Sequence, residues 1–162
     1  MKWTLIGLYS FCCVLCYGQK HVQKTKTVDF KKFTIAVPVE WEWIKVKGED
    51  SYVGEIQIDN KTKLNFDMGY YSNPLDDDED LTKNYYIKID GYEAKLVKPK
   101  RSGIGTTGVY IQHIKVSDKG TNSFQLSGQN LTNQQERQVI KAIKTLKFIR
   151  KLTPILLDSI KN

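Results

Sequence analysis

The stretch at residues 131–149, LTNQQERQVIKAIKTLKFI, decides the fold, because it alone carries a long helical rhythm of apolar residues. At about 100° per residue, Val139, Ala142, Ile143, Leu146 and Ile149 fall on one side. Arg137, Lys141, Lys144 and Lys151 fall opposite. Thr132 with Gln135 three residues on is a capping-box pattern, in which each residue satisfies an orphan N–H of the other. Phe148 would project from the charged side, so the spacing ends the helix near Lys147 and leaves the residues after it to run along a sheet edge. The expectation is one amphipathic helix over 132–147 that closes the core of a sheet.

Upstream of it the chain alternates with period two, as half-buried antiparallel strands do. Phe33, Ile35 and Val37 share a face before Pro38, and Trp41 follows in the turn. Residues 43–47 place Ile44 and Val46 together, 52–58 place Tyr52, Gly54, Ile56 and Ile58 together, and 64–70 place Leu64, Phe66, Met68 and Tyr70 together. After an aperiodic acidic loop at 72–84, the runs 85–89 and 92–97 flank Asp90-Gly91, a strong signal for a type I′ hairpin turn. Residues 109–116 are apolar on both faces, as in a central strand, and 123–128 bring in Phe124 and Leu126 before the helix. The fold class read from this pattern is α+β. About eight antiparallel strands form a curled sheet packed on one C-terminal amphipathic helix, in a single domain spanning 33–150.

The flanks read differently. Residues 1–18 have a basic start at Lys2, an apolar run to Cys16 and small residues before Gln19, the pattern of a secretory signal peptide cleaved after Gly18. The apolar run is shorter than the about 20 residues of a comfortable membrane span. All three cysteines (Cys12, Cys13, Cys16) lie in that leader. The mature chain is therefore without a disulfide framework, a thiolate metal site or a cysteine nucleophile. Bulky Leu15 argues against lipidation at Cys16. Residues 19–32 are basic and short of apolar side chains, and read as a loose arm. Residues 151–162 read as a C-terminal appendage. The full chain has a net charge of +7, of which Lys2 leaves with the leader. Such an excess permits anionic partners, but export makes nucleic acid an unexpected one.

No motif names a chemistry. Gly103, Gly105 and Gly108 match the letters G-x-G-x-x-G, yet they lack the helix that would hold a pyrophosphate, so they read as a glycine loop entering a strand. The acidic run 76–80 misses the glycine and glutamate that an EF-hand requires at its sixth and twelfth positions. His113 is the only histidine inside the presumed fold, and His21 lies in the arm. No catalytic residue, metal site or cofactor is expected. Two surfaces remain as candidate sites. Trp43, Tyr71, Tyr86 and Tyr110 fall opposite the main apolar stripe. They form either a stacking surface for sugar or peptide, or a second small core under the acidic loop or the C-terminal tail, the latter being the expectation. Arg137, Lys141 and Lys144 form a basic helix face for anionic lipid or glycan.

Phe33, Ile35, Val37, Pro38 and Trp41, together with Ser127-Gly-Gln-Asn-Leu131 leading into a helix that ends Leu146-Lys-Phe148, resemble small exported bacterial proteins of the PsbP-like type. The resemblance covers about a fifth of the mature chain. It implies an antiparallel sheet backed by helices and a binding or assembly role outside the cytoplasm, and it carries over no functional residue. The functional expectation is a monomeric, exported, non-catalytic module of the cell envelope or exterior that binds a protein or glycan. The alternatives are a hydrolase using carboxylates on the sheet face, and a basic surface domain for anionic lipid or glycan.

Overall fold

A computed structural model of the chain describes residues 23–76, 80–117 and 120–149. The leader, His21, the centre of the acidic run and the 151–162 appendage lie outside the described residues. Ten strands and one helix follow in order: β1 (Thr25–Asp29), β2 (Phe33–Pro38), β3 (Glu42–Lys45), β4 (Tyr52–Gln57), β5 (Lys63–Gly69), β6 (Thr82–Ile89), β7 (Tyr92–Pro99), β8 (Thr106–Ser117), β9 (Gly120–Gln129), α1 (Asn133–Ile143) and β10 (Lys147–Phe148). The α+β class stands: the sheets are antiparallel and one C-terminal helix packs on them. The strands divide, however, into a seven-stranded sheet ordered β3-β4-β5-β9-β8-β7-β6 and a three-stranded sheet ordered β1-β2-β10, and the large sheet is not strongly curled.

The seven-stranded sheet is two meanders, β3-β4-β5 and β6-β7-β8-β9, joined where β5 pairs with β9. Every neighbouring pair is antiparallel, so β5 and β6, with three strands between them, run in the same direction. Their connection must therefore travel back along the sheet. The Asp90-Gly91 turn has positive φ at both residues, 50° and 87°, as a type I′ turn demands. In β8 the register shifts between Ile111 and Ile114. The extra residues Gln112 and His113 form a bulge there. Two strand positions three apart thus both face the core, which explains why this strand reads as apolar on both sides.

One face of the large sheet packs against a second layer made of α1 and the small sheet. Phe33 is fully buried between them, stacked on Phe30 at 4.7 Å and edge-on to Phe66 and Phe124 at 5.1 and 4.9 Å. Phe66 fits because Gly54 faces it across the strand pair: a Cβ on Gly54 would lie 2.4 Å from the ring. Of the arm expected to be loose at 19–32, the described residues 23–32 are instead part of the fold. Residues 25–29 form β1, registered on β2 with Val28 opposite Ile35, and Phe30 is completely buried. Lys31 turns with φ 64°, its N–H donating to Asp29 Oδ1, and this brings Phe30 and Phe33 onto the same side.

The helix starts as expected. Thr132 Oγ1 accepts from the Gln135 N–H, and the Thr132 N–H donates to Gln135 Oε1 at 2.9 Å. It ends earlier, at Ile143 rather than near Lys147. Thr145 Oγ1 accepts from the Ala36 N–H at 2.8 Å and donates to the Ala142 carbonyl, tying the helix end to β2. The chain then opens into β10. Phe148 lies opposite Phe33, with its N–H donating to Asp90 Oδ2 at 2.9 Å. At the other end Glu136 is buried and held by Lys98 at 3.0 Å and by Ser102 Oγ at 3.0 Å. Across the β4–β5 turn, Asp59 accepts from the backbone N–H groups of Lys61 and Thr62, both at 2.8 Å, and from Gln135 Nε2 at 2.7 Å.

Two predictions follow from this packing. Phe33→Ala removes the ring common to both layers and should lower the unfolding free energy by about 3–5 kcal/mol, read as a lower urea midpoint at unchanged slope. The same measurement on the exposed Ile44→Ala should move by no more than about 0.5 kcal/mol. Asp59 gives a pH dependence. The Lys61 N–H above all, helped by Thr62 and Gln135, holds its carboxyl below the usual aspartate range. A carboxyl lowered by folding contributes stability that is complete above the unfolded value near about 3.9. That stability is lost as pH falls through the folded value. Asp59→Asn should therefore give a shallower fall of the urea midpoint below about pH 4 than the wild type shows.

Candidate functional site

The face of the large sheet turned away from the helix is polar. Cross-strand register puts Asn65 beside Ser127, Asp67 beside Gln125, and Gln125 in turn beside Tyr110, which lies beside Lys95 and so next to Tyr86. The described residues of the connection between β5 and β6, 70–76 and 80–81, lie across this face as a strap. Ser72 fixes its start: its Oγ accepts from the Gly69 N–H at 3.0 Å and donates to the Ser123 carbonyl at 3.1 Å. Asn73 Oδ1 accepts from the Leu75 N–H at 2.6 Å, bending the strap, and Leu75 has φ 59°. Asp76 pairs with Lys95, whose Nζ also sits 5.8 Å from the centre of the Tyr110 ring. At the far end Lys100 holds the strap through its N–H to the Leu81 carbonyl and its Nζ to the Asp80 carbonyl, both at 2.7 Å.

The strap leaves a concavity on each side of itself. One is an open cleft of about 560 Å³ between Pro74 and Asp76 of the strap and Asn84, Tyr86, Glu93, Lys95, Tyr110 and Gln112 of β6, β7 and β8. Its floor is aromatic and its walls carry both signs of charge. Tyr86 is 76 % exposed there, while the Tyr110 hydroxyl donates to Ser123 Oγ at 3.2 Å. The bulge in β8 forms the wall at Gln112. Both acids of the cleft have partners: Asp76 pairs with Lys95, and Glu93 with Lys88 at 3.4 Å. The other concavity, about 260 Å³, lies between Asn73 and Leu75 of the strap and the centre of the sheet.

Of the four aromatic candidates, the structure brings two together. Tyr86 and Tyr110 line the same cleft. Tyr71 does not join them: it is in the turn after β5, 90 % exposed, its ring edge-on to Tyr70 at 4.9 Å. Trp43 lies on the opposite face. It is registered against buried Ile56 and packs on Phe30 at 4.9 Å, while Ile44 and Val46, expected inside, are exposed. Edge strand β3 is half covered at best, so its alternation does not reveal which side is the core. The strap lies over the outer face, but the four aromatics do not form the second small core expected beneath it: Tyr71 and Tyr86 are exposed and Trp43 is on the other face.

The basic candidates stay on one exposed flank of α1. Arg137, Lys141 and Lys144 all face outward, and Lys141 borders a cleft of about 380 Å³ between the helix and β1–β2, shared with Gln23, Gln138 and Thr145. His113 is exposed at φ 59° in the bulge. Gly103 and Gly105 have positive φ in the turn that enters β8, with no helix after them. Among the described residues no three acids, histidines or cysteines gather as metal ligands, and no helix is long and apolar enough to cross a membrane. Lys95, Asn84 and Gln112 carry no sequence signal as site residues, and Asp76 reads only as part of the acidic run; strand register reveals Lys95 and Asn84, the β8 bulge Gln112 and the strap Asp76.

No protein-family model and no curated protein matches this chain. The geometry therefore has to carry the functional argument by itself. The Lys95–Asp76 pair is the hinge of that geometry, since it ties the strap to the sheet. Lys95→Met should speed amide hydrogen exchange at Asn73, Leu75 and Asp76 by about tenfold or more, while the amides of β5 and β9 keep their rates.

Proposed function

We propose that this chain is an exported, non-catalytic binding module that acts at the cell envelope or exterior and takes a polar, extended ligand of glycan type on its outer sheet face. The observation that carries the reading is the cleft at Tyr86. An aromatic face is left open beside hydrogen-bonding side chains from Asn84 and Gln112, on a sheet surface that the core does not need. Exposed aromatics with adjacent amides suit a ligand that is apolar on one face and hydroxylated at its edge. The leader and the cysteine-free mature chain support export, and the resemblance to PsbP-like proteins points the same way. A monomer is the form proposed.

A second reading, a hydrolase, draws on Asp76 and Glu93, two carboxylates lining one cleft beside Tyr86. Acid–base hydrolysis needs two carboxyls in contrasting environments, one kept protonated and one ionised. Here Asp76 is engaged by Lys95 in holding the strap and Glu93 pairs with Lys88 on the exposed rim, which favours binding over turnover. The basic flank of α1 supplies a third reading, attraction to anionic lipid or glycan, supported by Lys141 at the border of its cleft.

The test is titration of the mature chain with soluble neutral and acidic oligosaccharides, followed by amide chemical shifts. Binding should perturb residues around Tyr86 and Tyr110, and Tyr86→Ala should weaken it by about tenfold or more without lowering the thermal midpoint. Hydrolysis of any of these oligosaccharides, abolished by Asp76→Asn or Glu93→Gln alone, would replace the binding reading with the enzymatic one.

A further inference from the structure

The smaller concavity under the strap differs from the Tyr86 cleft in one respect that decides its chemistry: no charged side chain lines it. Its walls are amides and hydroxyls drawn from five places in the chain. Asn65 comes from β5, Thr82 from β6, Thr106 from β8, Gln125 and Ser127 from β9, and Asn73 from the strap. Thr82, Thr106 and Gln125 are each more than nine-tenths buried, at 6, 7 and 8 % exposure. Burying polar side chains on a sheet face costs stability unless their hydrogen-bonding groups are used. Some are used internally: Gln125 Nε2 donates to Ser127 Oγ, and Gln129 Nε2 donates to Thr106 Oγ1 at 2.8 Å. A hydroxyl both donates and accepts, and an amide presents two N–H groups and two lone pairs. Each member of these pairs lines the cavity and keeps hydrogen-bonding capacity beyond the bond named.

We infer that this cavity is a subsite for one neutral, polyhydroxylated ring, a hexose unit, either free or at the end of a longer glycan. The inference rests on the reading of the outer face as a glycan-binding surface and names what one part of it selects. Three features carry it. The volume of about 260 Å³ lies below the roughly 300–1,000 Å³ of pockets for drug-sized ligands. That is room for one small ring rather than for an extended ligand. The lining, Leu75 apart, is made of uncharged amides and hydroxyls, which matches vicinal hydroxyls and penalises a carboxylate that would find no cation there. The cavity also adjoins the aromatic cleft: Gln125, on its wall, is the direct cross-strand partner of Tyr110, on the floor of the other. A glycan could thus lay one ring on Tyr86 and place a neighbouring one under the strap.

The experiment uses the mature chain with glucose, galactose and mannose as free hexoses, glucuronate as the charged analogue, and a neutral oligosaccharide for the whole face. Side-chain NH2 signals of Asn65, Gln125 and Gln129 report on the cavity directly. At least one neutral hexose should shift these signals in a saturable manner, and glucuronate should bind at least about tenfold more weakly. Gln125→Leu and Thr106→Val should each weaken the hexose by about tenfold. Thr106→Val keeps the branched shape of a strand residue, so it separates loss of the hydroxyl from loss of fold. Tyr86→Ala should weaken only the oligosaccharide. Absence of saturable shifts with all three hexoses overturns the subsite, as does equal affinity for glucuronate. If the oligosaccharide is weakened by Tyr86→Ala but not by Gln125→Leu or Thr106→Val, the subsite falls and the Tyr86 cleft stands. If hexoses bind as described while Tyr86→Ala changes nothing, the cleft reading falls instead.

Discussion

The contact of Phe33 with Phe30, Phe66 and Phe124 is the constraint on which the rest of this structure depends. A seven-stranded sheet has two faces to satisfy, and α1 with eleven residues is too short to cover one of them. The small β1-β2-β10 sheet supplies the missing cover, and Phe33 is its point of insertion. It draws residues from the two ends of the chain to the same place. Phe30 arrives from the turn after β1, and Phe148 from the strand after the helix, edge-on to Phe124 at 5.3 Å. The cost of leaving any of these rings in water, about 25 cal/mol for each Å² of apolar surface, exceeds what one more helical turn would return. The helix therefore does not run on, and Phe148 pairs with Phe33 in β10 instead.

That arrangement determines where ligand chemistry is possible. With helix and small sheet on one side, the other side of the large sheet is covered, among the described residues, by the strap between β5 and β6. The strap crosses because two antiparallel meanders joined at β5 and β9 leave β5 and β6 running in the same direction. A single extended segment cannot seal so wide a face, and it leaves concavities at both its edges. Their difference in character comes from which strands lie beneath. Toward β6 and β7 the outward positions are Tyr86, Lys95 and Glu93; toward β5 and β9 they are Asn65, Gln125 and Ser127. One edge thus combines ring and charge, while the other holds neutral hydrogen-bonding groups. Asp67 belongs to the same polar row, with one carboxylate oxygen buried and unpartnered among the described residues.

How much of this is legible in the residues themselves depends on how local each signal is. The capping box at Thr132 and Gln135 and the Asp90-Gly91 turn are local, and both occur as read. Edge strand β3 apart, the strands between 33 and 128 are visible because one of their faces is buried, which makes the alternation strong. β1 is hidden because Thr25, Lys26 and Thr27 are exposed at a sheet edge, leaving Val28 and Phe30 as its only apolar marks. Trp43 is misassigned for the related reason that an edge strand, exposed on both sides, has no contrast to read. Phe148 is the opposite case. Its conflict with the helical rhythm correctly signals that the helix stops, but Thr145 and its bond to β2, a non-local contact, decide where.

The candidate site is less legible than the fold for the same physical reason. Tyr86 and Tyr110 are noticeable in sequence as aromatics out of phase with the core, yet they meet only because β6, β7 and β8 are adjacent and in the observed register. Gln125, Ser127 and Thr106 look like ordinary outward polar positions until the strap buries them. Burial is what turns them from solvated side chains into groups that need defined partners, and it comes from a segment whose own sequence has no periodicity. The recognition proposed for this face therefore depends on the crossover: without the strap's hold at Lys95 or Ser72, the same side chains would be an ordinary wet sheet surface.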